Sequence, residues 1–395
     1  MKLAVNGLAG LRVLRDLRRR DPSALRRRID PPTPDPAPRK RWTVGALPLG
    51  ALLLSEPPTK KRPLDVVVPR PAQRLGAGFA RNTVYGAGVR PGSFVDAGNG
   101  VAIPSPELLF VDMVGRLRFP VLVLLGYELC GTFGRDPADP MMGAVAFGVE
   151  PATTVGKIRE FLEACTYLPG REDAYRALTY VADNAWSPME AVLATMLTLP
   201  LTEGGYGLGE LRLNVRHENP PELVARGCPE SRVPDIELVV APVGFNYDGH
   251  GHYDLQAVAA ATDGPGRAAA IKDARSKYVD DLRRNRELMA MGKMILPVCS
   301  EDLFEEGALD ALVVEALRCV EAMGAEVPGF AIGYLASAGA AKRRQELLWS
   351  MLPWSEAQDY ARELEKKSRA LKEWLAGKRP RSDSATSISW VGDVS

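Results

Sequence analysis

Leu11, Leu14, Leu17 and Leu25 recur between arginines from Leu8 to Ile29, a spacing that predicts a helix with one apolar face. The run PPTPDPAPRK then ends it, because prolines at this density remove backbone donors and favour an extended linker. From Trp42 to about Val101, short apolar runs such as LDVVVP and GSFVDAGNGVAI are punctuated by Gly and Pro, which predicts small strands and turns. SPELLFVDMVGRL opens a helix, with Ser105 at the N-cap and Pro106 at the first helical position. Helical spacing continues through VGKIREFLEACTYL and EDAYRALTYVADNA.

From Ser187 the pattern changes. A helix, SPMEAVLATMLTLP, precedes three runs of strand character: LRLNV, VPDIELVV and VGFNYDG. A long polar-rich helix from Arg267 to Met291 follows, then a strand, MILPV, and the helix ALDALVVEALRCVEAM. The order is α-β-β-β-α-β-α. A last helix, SEAQDYARELEKKSRALKEWLAG, leads into a Ser-rich tail with the composition of a disordered segment.

Composition narrows the class. At 395 residues and 46% hydrophobic content the chain can form more than one domain with a real core. Net charge is +1, so bulk charge names no partner, but before Arg62 basic residues exceed acidic ones by about ten. Arg18, Arg19, Arg20, Arg26 and Arg27 make that segment a candidate phosphate-binding or acidic-protein-binding arm, with a solvated basic helix as the plain alternative. The five cysteines form no CxxC or CxxH pair, which fits a protein of a reducing compartment without a structural zinc site. No apolar run approaches the length of a membrane span, and Arg12 interrupts the opening before a secretory core segment could form. A cytoplasmic protein without membrane contact is expected.

The chemistry concentrates between Ser187 and Asp254. Asp235 enters an apolar strand between Val233 and Ile236, where an unpaired carboxylate costs several kcal/mol. Asn246 and Asp248 share one face of the next strand by alternation. Glu190 stands three residues after Ser187, the spacing of a capping box, which can coexist with metal ligation. Asp248 before Gly249 also fits a turn, His250-His252-Asp254 a weak zinc motif, and His217 a surface position. Gly204, Gly205 and Gly207 lack the Lys-Ser/Thr of a phosphate loop and are expected to shape a turn.

The stretches SPMEAVLATMLTLP, GGYGLGELRLN, VPDIELV, NYDGHGH and DDLRRNRELMAMGKMILPV resemble, in order, the Vsr-like nuclease domain of AbiEi-like bacterial antitoxins, a branch of the PD-(D/E)xK nucleases. LDVVVP and VAIPSPELLFVDMVGRL resemble the upstream region of those proteins. The resemblance implies an α/β chain: a basic helix and Pro-rich linker (1–41), an AbiEi-like mixed α/β region (42–180), a restriction-endonuclease-like αβββαβ core (181–325), and a C-terminal helix and tail (326–395). It implies Glu190, Asp235 and Asp248 as ligands of Mg²⁺ or Mn²⁺, Asn246 as an assisting ligand, and His252 as general acid or base. The sequence departs from the pattern at Asn246, where the family has glutamate, and Asp248 stands where its lysine would be. Lys277, Arg283 or Arg284 would have to supply positive charge, and Arg283 and Arg284 are further candidate nucleic-acid contacts. Two functions follow: a metal-dependent DNA endonuclease, or a non-catalytic nuclease-fold regulator that binds DNA or a toxin.

Overall fold

A computed structural model describes residues 3–32, 42–85, 88–137, 144–248, 264–327 and 329–353, with isolated positions between 359 and 370. The chain is α/β, with mixed sheets and helices packed on them. The N-terminal sheet has six strands in the order β2-β5-β6-β1-β3-β4. These are β1 (Leu3–Val5), β2 (Arg28–Ile29), β3 (Leu64–Val68), β4 (Ala80–Val84), β5 (Phe94–Gly98) and β6 (Val101–Pro104). The β5–β6 hairpin turns through Asn99 and Gly100, both at positive φ, as an Asn-Gly turn requires.

The first strand corrects the expectation of a separate basic arm. β1 is central in its sheet, parallel to β6 and antiparallel to β3, and the helix Gly7–Arg20 is buried on most of its circumference. Two of its arginines are structural. Arg15 forms a buried bidentate pair with Glu128, 2.8 and 2.7 Å. Arg18 is 1% exposed and donates to the carbonyls of Glu128, Phe133, Gly131 and Glu150. Arg19, Arg20, Arg26 and Arg27 pair with Asp136, Asp16, Glu150 and Asp21. A fork of five donors satisfies several carbonyls at once, which offsets the cost of burying the charge. Helical spacing showed one apolar face; it could not show that cations fill the other.

Helices Pro106–Asp112, Phe119–Cys130, Val155–Ala164 and Arg171–Leu178 join the two halves, with a short β7–β8 hairpin (Phe133–Gly134, Ala146–Phe147). The helix Pro188–Thr198 then leads into the second sheet, of four strands in the order β14-β13-β12-β9. β12 (Ile236–Leu238) is antiparallel to both β9 (Leu211–Leu213) and β13 (Val243–Asp248), and β14 (Met294–Cys299) is parallel to β13. A small β10–β11 hairpin (His217–Glu218, Ser231–Arg232) lies between β9 and β12. Gly204 and Gly207 adopt positive φ and Gly205 leaves no room for a Cβ, which would stand 2.2 Å from the Leu199 carbonyl; these glycines shape a turn.

Alternation sorts β12 and β13. Ile236, Leu238, Val243 and Phe245 are buried apolar residues on one face, and Glu237, Gly244, Asn246 and Asp248 share the other. The long helix Gly264–Ala290 closes over the polar face through Asn285 to Asn246 and Arg284 to Asp248. The helix Ala308–Ala322 packs against β13 and β14. Two further helices, Gly329–Leu335 and Ala338–Trp349, follow, where the sequence reading placed none. The helix expected over 355–377 and the Ser-rich tail fall almost wholly outside the described residues.

Arg18→Ala is expected to cost roughly 3 kcal/mol or more, because four buried carbonyls lose their donors and a cavity opens. Arg19→Ala should stay within about 0.5 kcal/mol, as for an exposed pair. Urea denaturation of both variants checks this; equal, small effects would restore the exposed-arm reading.

Candidate functional site

Ser187 accepts a bond from the Glu190 amide at 3.1 Å, so the capping serine fixes the first turn and with it the Glu190 side chain. Glu190 Oε2 in turn accepts from the Trp186 amide at 2.9 Å, one residue further back than a capping box would place it. It also accepts from Asn214 Nδ2 at 2.8 Å. Capping and site roles thus reside in one carboxylate.

Asn214, at the end of β9, joins the helix to the sheet. Its amide N–H donates to the Asp235 carbonyl at 3.0 Å while its side chain holds Glu190. Its φ is +53°, and it interlocks with Asn184 at φ +73°: Asn214 Nδ2 donates to the Asn184 carbonyl, and Asn184 Nδ2 to those of Leu213 and Asn214. Asparagine tolerates the left-handed region better than other non-glycine residues. The motif GGYGLGELRLN contained this residue without revealing its role.

Asp235 stands just before β12, and its Oδ2 accepts from the Tyr247 amide at 2.7 Å. Its carboxyl is pushed up to about 7, first by burial and then by the charge of Glu190; the Tyr247 N–H and Arg284 partly oppose this and Asp248 adds to it. Burial likewise raises the Glu190 carboxyl. Burial is thus the main cause at both carboxyls, and the charges of Glu190 and Asp248 add to it at Asp235.

The remaining expected residues are placed differently. Asn246 is fully buried, its Oδ1 accepting from the Asp235 amide at 3.0 Å and its Nδ2 donating to Asn285 at 3.2 Å. It is a strand-to-helix tie, not a ligand, which corrects the expectation drawn from its position. Asp248 pairs with Arg284 at 3.1 Å, and the same guanidinium reaches Asp281 at 3.2 Å. Arg284 is accordingly an internal counter-ion, and a nucleic-acid contact by Arg284 is corrected too; Arg283 is exposed. His250, His252 and Asp254 lie outside the described residues. Among the described residues, no group of three or more His, Cys, Asp or Glu is arranged to hold a metal ion.

Two clusters escaped the sequence reading. Glu237 shares the Asp235 face and is buried between His217 Nε2 at 2.8 Å and Lys293 Nζ at 2.6 Å, so His217 is not a free surface histidine. In the N-terminal sheet, Asp65 and Asp112 meet Arg81, Arg116, Asn6 and Tyr85. Both clusters pair acid with base, whereas Glu190 and Asp235 form no ion pair among the described residues.

Comparison with known protein families, characterised proteins and solved structures finds no match to this chain.

The Asp235 shift has a testable sign. An acid whose folded pKa lies above its unfolded value favours the folded state at low pH, and that contribution is lost as pH rises from about 4 to about 7. Asp235→Asn keeps an acceptor for the Tyr247 amide but cannot ionise. The variant should therefore gain thermal stability over the wild type at pH 8 and lose the advantage at pH 4. Equal midpoints at both pH values would show that Asp235 ionises normally.

Proposed function

We propose that residues 181–325 form a restriction-endonuclease-like module whose Glu190–Asp235 pair binds a divalent cation for phosphodiester hydrolysis in DNA. One observation carries the reading: a helix start and a strand start are tied together through Asn214, and the carboxyls at the two starts, the buried Glu190 and the half-buried Asp235, both have their charged forms destabilised. A structural pair would gain by separating or by acquiring a basic partner, as Glu237 and Asp65 have done. The order helix, antiparallel three-stranded meander, helix, parallel strand supports the same reading.

The pair fits Mg²⁺ or Mn²⁺. Both donors are hard oxygens, and Mg²⁺ is commonly held by one or two carboxylates, with water and substrate phosphate completing its shell. When bound, such an ion activates water and stabilises charge on the phosphoryl oxygens. The protein's own part is to fix the two carboxylates through Ser187, Trp186, Asn214 and the Tyr247 amide. An open groove of about 860 Å³ is lined by Asn184, Asp183 and the exposed Arg159 and Arg212, and Asn184 is bonded to Asn214. The groove thus carries two exposed cations beside the asparagine bonded to Asn214, which supports contact with a phosphate chain.

A second reading, the non-catalytic DNA- or toxin-binding regulator, is favoured by one specific contact. Asp248, at the position of the family's lysine, is neutralised by Arg284, so no side-chain ammonium faces the pair from that strand.

Mg²⁺ or Mn²⁺ at millimolar concentration should raise the thermal midpoint of the wild type at pH 8 and leave Asp235→Asn unmoved, because only the wild type has a site to fill. Nicking of supercoiled plasmid that needs the metal and vanishes in Asp235→Asn and Glu190→Gln supports the enzyme. A metal-dependent midpoint without nicking supports the regulator, and no midpoint shift overturns the cation site.

A further inference from the structure

The long helix Gly264–Ala290 carries a second surface. Ile271, Tyr278, Leu282 and Met289 are 50, 48, 46 and 55% exposed. At about 100° per residue, their intervals of seven, four and seven residues place them within about 20° of one straight line. With Arg275 between the first two, Ile271, Arg275, Tyr278 and Leu282 follow the four-three-four spacing of a coiled-coil seam, while Asn285 is turned to Asn246 on the sheet. Scattered apolar side chains on a surface mean little, but a continuous aliphatic and aromatic line along one helix marks a contact face.

Charge identifies the partner. Lys272, Arg275, Arg283 and Arg286 are exposed along this side and make no ion pair among the described residues. Three of the helix's four acids are engaged elsewhere, Asp280 and Glu287 with Arg232 and Asp281 with Arg284, and the fourth, the exposed Asp273, lies about 160° around the helix from the apolar line at Ile271. We propose that this face docks an amphipathic helix with an apolar seam and acidic flanks. Glutamates beside that seam would meet Lys272 and Arg286, and one within it would meet Arg275.

A second copy of this chain fits poorly. The seven-four-seven spacing is symmetric, but an antiparallel pair would set Lys272 of one copy near Arg286 of the other, and a parallel pair would stack Arg275 on itself. Nucleic acid would engage the cations but leave Ile271, Leu282 and Met289 unmatched.

The inference is independent of the carboxylate site. Its probe is a synthetic amphipathic peptide of roughly three heptads with leucine in the seam and glutamate on the flanks, titrated against the full chain by fluorescence anisotropy. Its twin carries lysine on the flanks, and a DNA duplex serves as the third ligand. The glutamate peptide should bind at least about tenfold more tightly than the lysine twin, as expected of several charge pairs beside an apolar seam. Leu282→Asp should abolish that binding, and the double variant Arg275→Glu, Arg286→Glu should reverse the preference; all altered residues are exposed, and circular dichroism confirms folding. Equal binding of both peptides, or none, overturns the proposal. So does a dimer in sedimentation that Leu282→Asp dissolves, which would assign the face to a second copy, or duplex binding lost in the charge variant without peptide binding, which would assign it to nucleic acid.

Discussion

The carboxylate site depends on one asparagine. Asn214 holds the Asp235 backbone with its N–H and Glu190 with its side chain, and both it and its partner Asn184 adopt left-handed conformations. Such conformations cost of order 1–3 kcal/mol each in general and persist where surrounding bonds over-determine them. Here the bonds are mutual: each asparagine donates to the other's backbone. The clasp holds the Glu190 side chain and the Asp235 backbone where burial, and at Asp235 the charge of Glu190 as well, raise their carboxyls.

The same principle separates the site from the rest of the molecule's buried charge. Arg15–Glu128, Asp310–Arg344 and the Glu237 cluster pair acid with base and anchor neighbouring elements. Arg15 and the neighbouring cations hold the Glu128 carboxyl down at about 2 despite its burial. Its sign is opposite to that of Asp235: Glu128 contributes stability above its unfolded pKa, lost as pH falls toward about 2. Glu128 is held low by paired cations, as structural ion pairs are, whereas Asp235 is raised by burial and then by a like charge, the kind of perturbation that marks a functional-site candidate.

Much of this was legible in the chain. Alternation in VPDIELVV and VGFNYDG located the polar face, and SPME located both the helix start and Glu190. What escaped depended on neighbours distant in sequence. Alternation placed Asn246 on the correct face but could not show that its oxygen is taken by the Asp235 amide. Leu11, Leu14 and Leu17 announced a helix, yet only the packed helix Phe119–Cys130 and the loop after it, which supply carbonyls, turn Arg18 from a candidate phosphate contact into a core residue. Charge runs are the least interpretable sequence signal here, because an arginine's role is fixed by what stands opposite.

The central claim is that Glu190 and Asp235 form an electrostatically strained pair that a divalent cation relieves. The most direct measurement is an NMR titration of the Asp235 carboxyl carbon, using selectively labelled protein with and without Mg²⁺. The account expects a midpoint near 7 in metal-free buffer, displaced to clearly lower pH when Mg²⁺ is added. A midpoint in the ordinary aspartate range near 4 without metal, or one near 7 that Mg²⁺ leaves in place, would contradict it.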